Sequence, residues 1–200
     1  SDEKAKRQYK AEPPERLIQL LEEQAKAATK AVNMARQILP ELKSMYPGIG
    51  MKPRVSFYEG EEGLISVYED TLTSSEPIRA YASIENMHSA LGDYFPSYYY
   101  RRTDRGIAIR SVHPDTRAAR ERVKHDSEEA RDSALVPHKE YDFSPEINIY
   151  DNKIAFISLR EKFGLIIESE ELAEAMKKIF ELSWKEAKRL NAKLHNVDEK

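Results

Sequence analysis

Arg54-Val55-Ser56-Phe57-Tyr58, closed by Glu59-Gly60 and followed at once by Glu61 to Leu72, is a strand that runs straight into a helix. Val, Phe and Tyr suit a pleated, half-buried surface. Leu64, Val67, Tyr68 and Leu72 then recur on one side of a 3.6-residue repeat. The same step repeats downstream. Ile78 to Ser83 reads as a second strand, Met87 to Arg102 as a second helix interrupted or bent at Pro96, and Ile107 to Val112 as a third strand after the Gly106 turn. Three strand-helix steps imply crossover connections and a mostly parallel sheet covered on both faces.

Beyond Val112 the rhythm changes. Asp115 to Ala130 carries too much charge to bury and reads as an exposed helix, and Leu135-Val136-Pro137 as a short strand whose proline favours an edge. Glu146–Tyr150, Lys153–Leu159 and Phe163–Ile167 follow at hairpin spacing, with Asp151-Asn152 as the first turn. Glu170 to Leu194 closes the chain as a helix with Leu172, Met176, Ile179, Phe180, Trp184 and Leu190 inward and acidic residues in its first turn. The expected fold class is therefore α/β, a mixed and mostly parallel sheet flanked by helices.

Working towards the N-terminus, Glu15 to Tyr46 contains no glycine and is rich in Ala, Leu, Glu, Lys and Gln, which is one long helix. Pro13-Pro14 precede it and Pro47-Gly48 end it. Leu17, Leu21, Gln24, Ala28, Ala31, Ala35, Ile38, Leu42 and Met45 follow one another at spacings of four and three, a heptad seam suited to a homodimer. The middle of that seam is small or polar, which allows close helix approach with little buried area. Pro40 cannot donate to the Arg36 carbonyl, so a kink or break is expected near Leu39. The domains expected are a lead-in over 1–14, the helix over 15–46, the α/β domain over 51–195 and a tail over 196–200.

The chain has 200 residues, 32 Lys plus Arg against 35 Asp plus Glu, and no cysteine. The missing cysteines exclude a disulfide framework, a thiol nucleophile and a thiolate zinc site, and favour a cytoplasmic compartment. A near-neutral balance is not that of a nucleic-acid polycation. No membrane span is expected. His88, His113, His125, His138 and His195 show no metal-binding spacing, and the seven glycines form no phosphate loop, so no metal or cofactor is expected. Tyr94, Phe95, Tyr98, Tyr99 and Tyr100, followed by Arg101, Arg102 and Arg105, have the composition of a nucleic-acid surface, but their helical spacing favours packing on the sheet. The basic run 101–131 reads as a solvated face.

Two segments carry a family resemblance. Lys52-Pro53-Arg54-Val55-Ser56-Phe57-Tyr58-Glu59-Gly60-Glu61-Glu62-Gly63 with Tyr68-Glu69-Asp70-Thr71-Leu72 resembles the start of the effector domain of TrmB-like transcriptional regulators. Glu146 to Leu159, Gly164 to Ser169 and the helix through Phe180 and Trp184 resemble its end. That domain is similar to one half of the phospholipase D fold. Arg7 to Leu17 resembles the passage from a winged helix-turn-helix into a linker helix. The resemblance implies a DNA-binding head outside this chain, a dimerising linker helix, and a C-terminal domain that senses a small-molecule effector or holds the dimer together.

Phospholipase D enzymes carry H-x-K-x4-D, with His as nucleophile and Lys on a phosphate oxygen. Aligning Asp151 with the motif's Asp puts Ser144 in place of the His and Glu146 in place of the Lys. A serine without a base is a poor nucleophile, and a carboxylate repels phosphate. The domain is accordingly expected not to be an enzyme. By analogy of position the candidate ligand-binding residues are Glu59, Ser83, His113, Glu146, Asn148 and Ser158. The alternatives are a phospholipase D-like phosphodiesterase or nuclease, and a freestanding protein-interaction module.

Overall fold

A computed structural model describes residues 13–45 and 53–198. The lead-in at 7–12 and the Pro47-Gly48 stop lie outside the described residues, as does the side chain of Met45. By its contacts the chain forms two units, 1–51 and 52–200. In the first unit α1 (Glu15–Met45) is a helix of 31 residues that continues past Pro40 instead of breaking near Leu39. Leu17, Leu21, Ile38 and Leu42 of the expected seam are all about half exposed or more, as are Ile18 and Met34 outside it.

The second unit begins as the sequence indicates. β1 (Arg54–Glu59) turns at Gly60 into α2 (Gly60–Thr71). Gly60 adopts φ +72°, open to glycine at little cost, and its N–H donates to the Lys162 carbonyl at 2.8 Å. Next come β2 (Ile78–Tyr81), α3 (Ile84–Leu91), α4 (Phe95–Asp104) and β3 (Ile109–Pro114). The helix expected there is interrupted, not bent, and Pro96 stands in the first turn of α4. The expected exposed helix over 115–130 is instead α5 (Arg117–Arg122) and one turn of 3-10 helix (Val123–His125), with Ala119 and Arg122 buried. The unit is completed by β4 (Arg131–Val136), β5 (Glu146–Tyr150), β6 (Lys153–Ser158), β7 (Phe163–Glu168) and α6 (Glu170–Asp198).

The seven strands among the described residues form one mixed sheet in the order β1-β7-β6-β5-β2-β3-β4. Parallel pairing is confined to β2–β3 and β3–β4; β1–β7, β7–β6, β6–β5 and β5–β2 are antiparallel, so the parallel share is smaller than the strand-helix rhythm suggests. The reason is topological. The final hairpins insert between β1 and β2, so β1 never pairs with the strand that follows it in sequence. β4 is an edge, as Pro137 indicates.

Each face of the sheet has its own core. On one side α2, α3 and α4 bury Leu64, Val67, Tyr68, Phe95, Tyr98 and Tyr99 against Ala155, Ile157, Ile166 and Tyr150. Gly164 makes this possible on β7, where an added Cβ would meet Val67 Cγ2 at 2.8 Å. On the other side α6 packs Ala173, Phe180, Trp184 and Ala187 against Val112, Ala134, Ile149 and Ile154. Trp184 is core, as expected, but Leu172 and Ile179 are not: they are 42% and 51% exposed, and small Ala173 and Ala187 take the contact positions. Alanine at the contact lets a long helix lie close on a sheet. Among the described residues no helix is long and apolar enough to cross a membrane.

Candidate functional site

The polar groups that the sheet carries inward collect under α3 and α4. By register Glu146 and Asn148 of β5, Ser111 and His113 of β3, and Arg131 and Ser133 of β4 alternate onto the same face. Helix α4 brings Tyr98, Tyr99 and Arg102 down on them. Of these, Glu146, Ser111, His113, Arg131, Tyr98, Tyr99 and Arg102 line a cavity of about 30 Å³, room for about one water molecule.

His113 is 2% exposed and both of its ring nitrogens are engaged. Nδ1 lies 2.8 Å from the Ala82 carbonyl, which only accepts, so Nδ1 carries the proton. Nε2, 2.8 Å from Ser111 Oγ, then accepts from that hydroxyl. Burial pushes the imidazole pKa down to about 4, against the raising effect of the Ala82 bond, and the Arg131 and Arg122 charges lower it further. This histidine is neutral at pH 7.

Glu146 is the acidic counterpart. Oε2 accepts from the Tyr68 hydroxyl at 2.7 Å and Oε1 from Asn148 Nδ2 at 2.7 Å. Burial pushes its carboxyl up to about 7, while those two hydrogen bonds and the Arg131 charge pull it down. Its neighbour Tyr98, hydrogen-bonded to Thr71 Oγ1 at 2.8 Å, is pushed up to about 12 chiefly by burial.

Three buried arginines complete the cluster. Arg102 donates to the carbonyls of Ile107 and Glu129, and Arg122 and Arg131 both donate to the Glu129 carboxylate. The Tyr99 ring lies beneath two of them, with Arg122 Cζ 3.8 Å and Arg131 Cζ 5.0 Å from its centroid. Among the described residues, Nε of Arg122 and of Arg131 finds no hydrogen-bond partner. The 101–131 run is therefore only partly the solvated face that its charges suggest. Nothing in its spacing marks these three arginines, because Arg102 is held by two backbone carbonyls and the carboxylate and ring around Arg122 and Arg131 come from other elements.

The expected site residues divide into two groups. Ser83, His113, Glu146 and Asn148 are all buried, and His113, Glu146 and Asn148 share one face of the sheet; Ser83 occupies the N-cap position of α3. Glu59 and Ser158 lie elsewhere. Both stand opposite Phe163, on the α6 face, and Ser158 Oγ donates to Glu161 at 3.1 Å. Of the other two aligned motif positions, Ser144 accepts from Asn86 Nδ2 at 3.3 Å, while Asp151, at the far end of β5 from Glu146, accepts from the Ser75 N–H and hydroxyl. The sequence reading missed Arg102, Arg122 and Arg131 as members of the cluster, and it placed Tyr68 inward without seeing its carboxylate partner.

A second, open depression of about 800 Å³ lies between α4 and α5, lined by His88, Pro96, Tyr100, Arg122, His125 and Glu128 among others. Among the described residues no group of three or more His, Asp or Glu side chains is placed to hold a metal ion.

No protein-family model matches the chain, and no curated protein matches it in sequence. Solved structures do. NucT from Helicobacter pylori aligns with a TM-score of 0.50 at 9% identity, over 67% of this chain and 97% of NucT. The structure of TrmBL2, described as an archaeal chromatin protein with a novel mode of DNA binding, aligns with a TM-score of 0.49 at 16% identity, over 86% of this chain and 67% of TrmBL2. At 9% identity the likeness to NucT is one of fold, and it places the α/β unit among phospholipase D-like architectures.

Proposed function

We propose that this chain is the effector-sensing and dimerising part of a TrmB-like transcriptional regulator, in which a phospholipase D-like domain serves recognition instead of catalysis and DNA is read by a winged helix-turn-helix outside these residues. Glu146 carries the reading. It stands where the resemblance places a phosphate-holding lysine, it is 3% exposed, and it lies under α3 and α4 with both oxygens bonded. A buried carboxyl group disfavours a phosphodiester there by access and, where ionised, by charge.

The exposed apolar residues of α1 support the dimerising half of the reading, since a helix with a half-exposed seam gains by pairing. An effector that binds one arrangement of the domains more tightly shifts the dimer towards that arrangement, and only by its difference in affinity. Opening α3 and α4 over the buried cluster is one such rearrangement.

Two measurements test this. Sedimentation of the chain at micromolar concentration gives a dimer, and the double substitution Leu21→Glu and Ile38→Glu lowers its stability; a wild-type monomer defeats the dimer reading. Incubation with a bis-aryl phosphate gives no turnover. Turnover abolished by His113→Asn would instead establish the phosphodiesterase alternative.

A further inference from the structure

Strand β1 combines an unpaired edge with an uncovered face. It stands at the end of the sheet order, and among the described residues nothing pairs with its outer side. The Gly60 N–H points to β7, where it meets the Lys162 carbonyl. Because backbone groups alternate along a strand, those of residues 58, 56 and 54 also face β7, and those of Val55, Phe57 and Glu59 face outward. The side chains of Val55 and Phe57 are 59% and 57% exposed. They lie on the α6 side of the sheet, but α6 packs chiefly on β4, β5 and β6 and stops short of them. Phe57 extends this open surface onto β7 by stacking on Phe163, with ring centroids 5.7 Å apart.

Natural edges are usually blunted by inward charges, proline or a bulge. On β1 the proline and charges stand only at the ends, Pro53 and Arg54 before and Glu59 after, and the run Val55-Ser56-Phe57-Tyr58 between them has none of these. We propose that β1 pairs antiparallel with β1 of a second copy of this chain, across a two-fold axis at Ser56, so that one sheet runs through both copies. A two-fold axis perpendicular to a sheet edge necessarily lays the strand antiparallel to itself, so this edge is its own complement. Three registers make two or more outward pairs within the strand, centred on Ser56, Phe57 and Tyr58; the last sets Phe57 against the Glu59 carboxylate of the other copy. The second sets Val55 against the Glu59 carboxylate of the other copy. Centring on Ser56 sets Val55 against Phe57 twice, apolar on apolar, and exchanges two hydrogen bonds at each pair. It also brings Pro53, which has no N–H to donate, opposite Glu59, where the ladder ends.

Strand pairing by itself falls short of the roughly 800 Å² per partner of a stable complex. The exposed side chains of Val55 and Phe57 add apolar surface to the strand pairing, and Leu172 and Ile179 of α6, 42% and 51% exposed, lie on the same side of the sheet. This interface goes beyond the α1 pairing proposed above and is tested apart from it.

The chain has no cysteine, so a single introduced one reports cleanly. In the proposed register the two Ser56 residues form a non-hydrogen-bonded antiparallel pair with Cα atoms about 4.5 Å apart, within disulfide reach. Ser56→Cys in the full chain, mildly oxidised at micromolar concentration, gives a covalent dimer, whereas Ser127→Cys, at an exposed position in the turn before β4, does not. In the wild-type chain the Val55 and Phe57 amides gain protection from hydrogen exchange as concentration rises. Both results persist in the Leu21→Glu background. A Ser56→Cys yield no greater than that of Ser127→Cys, or rapid exchange at Val55 and Phe57 at every concentration, overturns the β1 interface while leaving the α1 reading standing. A β1 cross-link with no effect of the α1 substitution on assembly would sink the α1 reading instead.

Discussion

The Tyr68 hydroxyl donates to Glu146 Oε2 at 2.7 Å, joining α2 to the first residue of β5 across 78 positions of chain. Around this bond lies a buried acid facing the same small cavity as a buried base, His113. Their titrations oppose one another.

Glu146 is raised from 4.5 to about 7. Between those values the folded chain holds a proton that the unfolded chain has released, so this residue's contribution to stability falls as pH rises through the window, by on the order of 3 kcal/mol in all. Glu146→Gln removes that fall. Urea unfolding from pH 4.5 to 7 should show the variant gaining on wild type steadily towards the upper end.

His113 is lowered from 6.5 to about 4. Here the unfolded chain binds the extra proton, so the contribution rises as pH climbs from about 4 to 6.5, again on the order of 3 kcal/mol. Where the windows overlap the two slopes largely cancel. His113→Asn should therefore tilt the stability profile downward with pH, opposite to Glu146→Gln, and the double variant should restore a profile close to that of wild type.

Gly164→Ala tests the approach of α2 to β7. The new Cβ would sit 2.8 Å from Val67 Cγ2 and 3.7 Å from the Phe156 carbonyl. Overpacking of this kind costs about 1–3 kcal/mol. The midpoint of urea unfolding should drop, and adding Val67→Ala should recover part of the loss by clearing the methyl group.

Tyr99→Leu removes the ring beneath Arg122 and Arg131. A desolvated cation–π contact is worth about 2 kcal/mol, so the variant should lose at least that much in chemical denaturation. Tyr100→Leu is the control. Tyr100 is 71% exposed, and its replacement should change stability by less than about 0.5 kcal/mol.

Much of the site could be read from sequence, but not its closure. Glu146 and Asn148 stand two apart on a strand and necessarily share a face, so alternation alone joins them. His113 joins them because β2 lies between β5 and β3, an arrangement that local periodicity does not encode. Glu59 and Ser158 were grouped with these residues by analogy, and the strand register sends both to the other face. The arginines were misplaced for a related reason. Charge reads as exposure unless a partner is visible, and the partners of Arg122 and Arg131 are a ring on α4 and a carboxylate in the turn before β4.

By itself the sequence determined the local elements: where the strands alternate, where Gly60 turns β1 into α2, and that Tyr98 and Trp184 point inward. These follow from side-chain periodicity and backbone chemistry, which act over a few residues. Tertiary structure alone decided that β1 ends up beside β7 at an open edge, that α6 covers only part of its face, and that an acid and a base lie under α3 and α4. Those outcomes depend on which distant surfaces meet, and burial, ionisation and edge exposure are properties of the meeting.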